Sequence, residues 1–130
     1  MNEMKVENLP KDCPQRVAYT KITIGDIEVY VSTVDLDKAK EATDDFDTAL
    51  FLWFVDSHIL HAGEKYETAI YVPKAIVDDE HTDTVIVEGY YRLPDALKGH
   101  QKWVESILKG QTRFKDFRTE DVLEIPYKET

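Results

Sequence analysis

The chain has 130 residues, 42% hydrophobic and 32% charged, with a net charge of −10 and one cysteine, Cys13. That composition is globular rather than disordered, and the length fits one domain whose core needs no disulfides. The charge argues against gripping a nucleic-acid backbone or an anionic membrane, and a lone cysteine supplies neither an internal disulfide nor a zinc cluster, as in a reducing compartment.

Residues 1–15 carry Pro10 and Pro14 and no periodicity, so a flexible N-terminal arm is expected ahead of a single domain over 16–127. The polar start lacks an apolar signal segment, and the longest apolar run, 49–55, is too short to span a bilayer. A soluble protein without membrane contact is expected.

From RVAYTKITIG (16–25) the pattern alternates, with Ala18, Thr20, Ile22 and Ile24 on one face. Gly25–Asp26 is a turn signal, and IEVYVSTVDL (27–36) is rich in β-branched and aromatic residues. Together they predict a β-hairpin. DLDKAKEATDDFD (35–47) sets Asp35, Asp37, Glu41, Asp44, Asp45 and Asp47 against Lys38 and Lys40. Its composition allows a short helix near Lys38–Thr43 or an acidic loop. TALFLWFVDSHIL (48–60) is apolar on both faces and reads as a central strand, with a buried helix competing; Phe51, Trp53 and Phe54 favour the strand.

YETAIYVPKAIV (66–77) alternates again until Pro73 marks an edge or bend. DDEHTD (78–83) is a second acidic loop, carrying Asp78, Asp79, Glu80 and Asp83. TVIVEGYYRL (84–93) is a strand in which Gly89 suggests a bulge or a close backbone approach. A helix follows over about 94–109. Pro94 and Asp95 suit its first turn, Gly110 its end, and Ala96, Leu97, His100, Trp103, Val104, Ile107 and Leu108 its apolar face. VLEI (122–125) reads as a short last strand. The order implies an α+β fold: an antiparallel sheet of about five strands with one main amphipathic helix on one face. Trp53 and Trp103 are expected to meet at that interface.

VSTVDL (31–36), YETAIY (66–71) and YYRLPDALKGHQKWVESI (90–107) together resemble a set of small phage and prophage proteins of no known activity. Those share a Val-Ser-Thr-Val strand, a Glu-Thr strand, and an Arg-Tyr strand leading into a helix with an Ala-Gly-His step. The matching positions are Ser32, Thr33, Glu67, Thr68, Arg92, Gly99 and His100. Where that family often continues with Leu-Asp-His and a Gly-rich loop, this chain has DKAKEATDDFD. The resemblance implies phage origin, and hence the cytoplasm of an infected bacterium; it does not supply an activity.

No phosphate-cradling glycine loop, nucleophile elbow or Cys-His pairing is present. Asp56, His58, His61 and Glu64 fall within nine residues, but their spacing fits no known ligand pattern, so no metal or cofactor is expected. His100 lies on the helix's apolar face and needs polar partners if buried. Glu67, held ionised by Arg92, is the expected partner, in a polar network or pocket tying helix to sheet. The acidic runs at 35–47 and 78–83 would form one negative patch if they met at one end of the sheet.

These features favour a non-enzymatic phage accessory protein. It would bind a host or phage protein, a basic one in the acidic-surface version, and inhibit a host defence system. The alternatives are a small-molecule or nucleotide-sequestering protein and a minor virion or assembly component. Open sheet edges leave room for homo-oligomerisation.

Overall fold

The computed structural model describes residues 3–10, 14–41 and 64–126. Five strands form one antiparallel sheet in sequential order: β1 (Met4–Asn8), β2 (Arg16–Ile24), β3 (Ile27–Asp35), β4 (Tyr66–Tyr71) and β5 (Thr84–Tyr90). A short helix, α1 (Leu36–Glu41), follows β3, and the main helix, α2 (Leu93–Leu108), follows β5. Two three-residue strands, β6 (Arg113–Lys115) and β7 (Val122–Glu124), form a separate hairpin. The fold is α+β, with one main helix on the sheet.

The β2–β3 hairpin closes through Gly25 at φ 63°, with Ile24 paired to Ile27. A positive φ at the first central residue is the II′ pattern, whose twist matches the flanking strands. Helix α2 starts from Arg92 in an extended conformation with Pro94 in its first turn. It ends in a Schellman motif: Gly110, at φ 102°, donates to Ile107 O, and Gln111 donates to Ser106 O.

One sheet face and α2 enclose the core. Ile22, Val29 and Val31 of the hairpin meet Ile70, Val85, Val104 and Ile107. Phe114 of β6 and Leu123 of β7 complete this cluster, and Trp103 packs edge-on against Phe114 at 6.1 Å. The hairpin also seals one edge of the sheet. Asp116 Oδ2 accepts the Ile86 N–H at 2.9 Å, and the Phe117 N–H donates to Ile86 O at 3.1 Å.

Several expectations change. Met4–Asn8 is not loose; it pairs along its length with β2. Alternation is hard to read in five residues that are half polar, so the strand forms through its partner rather than its own pattern. Leu97 is 43% exposed, off the apolar face, whereas Gly99 is buried. A Cβ at Gly99 would lie 2.1 Å from Tyr90 Oη, so the bare backbone makes room for that ring. β5 does carry a bulge, but its extra residue is Val87, between the Thr68–Glu88 and Ala69–Ile86 pairs, rather than Gly89. Gly89 serves the close-approach alternative: a Cβ there would lie 1.8 Å from Glu64 Oε2. The proposed strand at 48–60 and Trp53 lie outside the described residues.

Candidate functional site

Strand alternation places Thr20, Thr33 and Thr68 on the same face as Ile22, Val31 and Ile70. Three buried hydroxyls therefore line the sheet at its α1 end, and α2 sets His100 above them. His100 Nε2 lies 2.8 Å from Thr20 Oγ1, and Nδ1 lies 2.8 Å from Thr33 Oγ1. The row continues from Thr33 to Thr68 at 2.6 Å and from Thr68 to Tyr90 Oη at 3.2 Å. Tyr90 donates to Glu88 Oε1 at 2.9 Å, which also accepts from Lys102 at 2.7 Å and Trp103 Nε1 at 2.9 Å. At the other end Thr20 meets Asn8 Oδ1 at 3.1 Å. One hydrogen-bonded row thus crosses all five strands and returns to the helix.

Burial depresses the His100 pKa to about 4, so the ring is neutral near pH 7. Burial also raises the Tyr90 phenol. At Glu88 burial pushes the pKa up, but the bonds from Lys102, Trp103 and Tyr90 outweigh it and hold the carboxylate ionised. Both imidazole nitrogens are occupied by threonines and the residue is 5% exposed. A general acid or base needs a free nitrogen in reach of substrate. His100 has a structural partner on each side instead.

Glu67 points to the opposite face and does not join this row. Its carboxylate contacts Arg118 Nη2, which also donates to Glu64 Oε2 at 2.8 Å. Both side chains of the Glu67–Arg118 pair are almost fully buried. Burial raises the Glu67 pKa to about 7 against the opposing pull of Arg118. Asp116 supports the pair from below by accepting the Arg118 and Thr119 N–H groups on Oδ1. Arg92, the expected partner of Glu67, is instead an exposed residue at the start of α2. The cation comes from Arg118, in the β6–β7 turn.

The described acidic residues do not form one patch. Asp35 and Asp37 sit where β3 hands over to α1; Asp35 Oδ1 caps the helix by accepting the Lys38 N–H at 3.1 Å. Asp78, Asp79, Glu80 and Asp83 sit in the β4–β5 connection. In an antiparallel meander successive connections alternate ends: Asp35 lies opposite Tyr66, whereas Tyr71 lies opposite Thr84 at the other end. A six-residue strand keeps those ends about 20 Å apart. Glu41 lies in α1. Asp44, Asp45, Asp47, Asp56, His58 and His61 lie outside the described residues. Among the described residues no group of three or more His, Cys, Asp or Glu is placed to hold a metal ion.

The β4–β5 connection is well organised. Asp78 Oδ1 accepts the Glu80 and His81 N–H groups, both at 2.8 Å, and the His81 ring at 3.0 Å. The Glu80 and His81 bonds hold the Asp78 pKa below the usual carboxylate range. The Val72 N–H donates to Asp83 O and the Thr82 N–H to Val122 O, each at 2.9 Å. On this frame Ile76 is 63% and Val77 66% exposed, next to the exposed Asp78, Asp79 and Glu80. A hollow of about 260 Å³ also opens beside α2, lined by Glu88, Tyr90, Asp95, Lys98, Gly99 and Lys102.

Thr20, Thr33, Tyr90 and Arg118 were not among the expected site residues. The threonines are legible as polar side chains at core-facing positions of alternating strands. Arg118 carries no such signal, because its role depends on how the β6–β7 turn docks. No helix among the described residues is long and apolar enough to cross a membrane. The chain matches no family model, no curated protein and no solved structure.

Proposed function

We propose that this chain is a non-enzymatic accessory protein of phage origin that binds a partner protein through its β4–β5 connection. The partner carries an apolar pocket with basic side chains around it. A host defence protein is the target class that best suits a small acidic phage product.

The observation that carries this reading is the pairing of Ile76 and Val77, 63% and 66% exposed, with the adjacent acidic run on a hydrogen-bonded loop. Exposed apolar side chains rimmed by polar ones mark interaction sites, and a pre-organised loop loses little entropy on docking. The net charge of −10 would speed encounter with a basic partner. Compatible with a non-enzymatic role, His100 spends both ring nitrogens on Thr20 and Thr33, Glu88 Oε1 accepts from Tyr90, Lys102 and Trp103, and Glu67 is paired with Arg118. At the hollow beside α2, Glu88 is likewise committed to Lys102 and Trp103, which gives a small-molecule reading less support.

The test is affinity capture from a bacterial lysate with the natural chain, Ile76→Ser/Val77→Ser, and Asp79→Lys/Glu80→Lys. One stoichiometric protein should be captured, weakened by salt and lost with either double variant. Capture that survives both variants undiminished would end this reading.

A further inference from the structure

The two edges of the sheet are treated differently. The β5 edge is closed by Asp116 and Phe117 of the β6–β7 hairpin. On the β1 edge, β2 is the only strand hydrogen-bonded to β1 among the described residues. The backbone shows which groups it leaves open. The Leu9 N–H donates to Tyr19 O at 2.9 Å, and the Gly25 N–H donates to Glu3 O at 3.3 Å. Met4 to Asn8 run between these points in unbroken register with Ile24 to Thr20. Lys5 and Glu7 therefore turn their N–H and C=O groups to β2, as Glu3 and Leu9 do. Met4, Val6 and Asn8 turn theirs outward.

We propose that this edge pairs with the same edge of a second copy of the chain, antiparallel, about a two-fold axis through Val6. Val6 then exchanges both main-chain hydrogen bonds with Val6 of the second copy, and Met4 does so with Asn8. The outward groups are those this register requires.

The side chains fit the same symmetry. Lys5 comes opposite Glu7 of the second copy, and Glu7 opposite Lys5, at the sites where facing side chains approach most closely. In one copy Lys5 Nζ is 3.3 Å and Lys21 Nζ 4.0 Å from the Glu7 carboxylate, so these groups already share a face. Pairing extends them into a row of alternating charge across the joint. On the other face Val6, 44% exposed and in register with the core residue Ile22, meets its own copy. A lysine on an edge normally deters strand addition. Here an acid two residues along answers it, which favours this strand over others and makes the interface self-complementary.

Sedimentation velocity of the full chain over a concentration series tests the pairing. The natural chain should sediment as a reversible dimer that weakens with salt. Val6→Pro should be a monomer with an unchanged circular dichroism spectrum, because the lost N–H points away from β2 and proline is tolerated there. Lys5→Glu and Glu7→Lys provide a second arm. Each alone places like charges opposite one another and should be monomeric, whereas their equimolar mixture should form a heterodimer. A natural chain that stays monomeric up to about 1 mM, a dimer untouched by Val6→Pro, or single charge variants that dimerise as well as their mixture would each overturn the proposal. None of these residues lies in the β4–β5 connection, so the result is separate from the partner-capture test.

Discussion

His100 Nδ1 stands 2.8 Å from Thr33 Oγ1, and this contact orders the hydrogens along the whole buried row. Ionised Glu88 can only accept, so Tyr90 gives it a hydrogen. Thr68 then donates to Tyr90 and Thr33 to Thr68, which leaves His100 Nδ1–H to donate to Thr33. Nε2 of the neutral ring accepts from Thr20. Thr20 has no hydrogen left for Asn8, so the Asn8 amide turns its NH2 inward; the two ends of an amide are interchangeable in shape. Nitrogen-15 spectra of the ring should show the Nδ1–H tautomer. Asn8→Asp offers only acceptors, claims the Thr20 hydrogen and should raise the His100 pKa above about 4. An Nε2–H tautomer would refute this ordering.

His100 and Glu67 should offset one another as pH falls. The folded His100 pKa, about 4, lies below the 6.5 of an ordinary imidazole. Its contribution is therefore full above 6.5 and lost as pH falls toward 4. The folded Glu67 pKa, about 7, lies above the 4.5 of an ordinary glutamate, so its contribution is full below 4.5 and lost as pH rises through 7. Between roughly pH 4.5 and 6.5 the two groups together bind about one proton in either state, and their slopes cancel. Urea unfolding should show the two variants diverging across this window. His100→Gln should gain stability on acidification and Glu67→Gln should lose it. Parallel profiles in the two variants would contradict the assigned shifts.

The Glu67–Arg118 pair should be costly to break from one side. Arg118→Met leaves the Glu67 carboxylate buried without its cation, a loss of about 3–5 kcal/mol. Adding Glu67→Leu should recover much of it, because two apolar side chains can replace a buried pair of similar volume. Chemical denaturation of the single and double variants measures the coupling. A Glu67→Leu change that costs the same in the natural and the Arg118→Met backgrounds would mean that the two side chains are not coupled.

Local pattern and tertiary contact divide what the sequence could tell. The β2–β3 hairpin, β4, β5 and α2 follow from alternation, Gly25, Pro94 and Gly110, all of them local signals. β1 and β6 are short and largely polar, and they become strands through their neighbours. The site divides in the same way. Burial of His100 was legible from the helical spacing, and a need for partners followed from burial. Which partners it finds depends on the sheet register, which sets Thr33 beside Thr68. Topology alone separates the described acidic residues, because Asp35 and Asp37 lie at one end of β4 and the connection carrying Asp78, Asp79, Glu80 and Asp83 leaves from the other.

Gly99→Ala should destabilise the chain, although alanine favours an exposed helix by about 1 kcal/mol. The new methyl would lie 2.1 Å from Tyr90 Oη and 2.3 Å from Cε1 and Cζ. The ring must move, which loosens its bonds to Thr68 and Glu88 and costs about 1–3 kcal/mol. Combining Gly99→Ala with Tyr90→Leu should remove the clash, so the second change should cost less in the Gly99→Ala background than alone. Thermal or urea melts give the comparison; simple additivity would mean that the ring and the glycine are not in contact.

Asp116→Asn should open the β5 edge. Asp116 is nearly fully buried and accepts on both oxygens, from Ile86 N–H on one and from Arg118 and Thr119 N–H on the other. An asparagine turns one acceptor into a donor facing another donor. That unsatisfied contact costs about 1–3 kcal/mol. If the NH2 faces Ile86, the edge bond is lost. If it faces the turn, Arg118 loses the backbone anchor that holds it beside Glu67. Hydrogen exchange distinguishes the two: faster exchange at Ile86 marks the first, and faster exchange at Arg118 and Thr119 marks the second. Unchanged protection at all three amides would show that Asp116 does not seal this edge. A freed β5 edge would also give the sheet a second pairing surface, so larger assemblies of Asp116→Asn than of the natural chain would tie the seal to control of assembly.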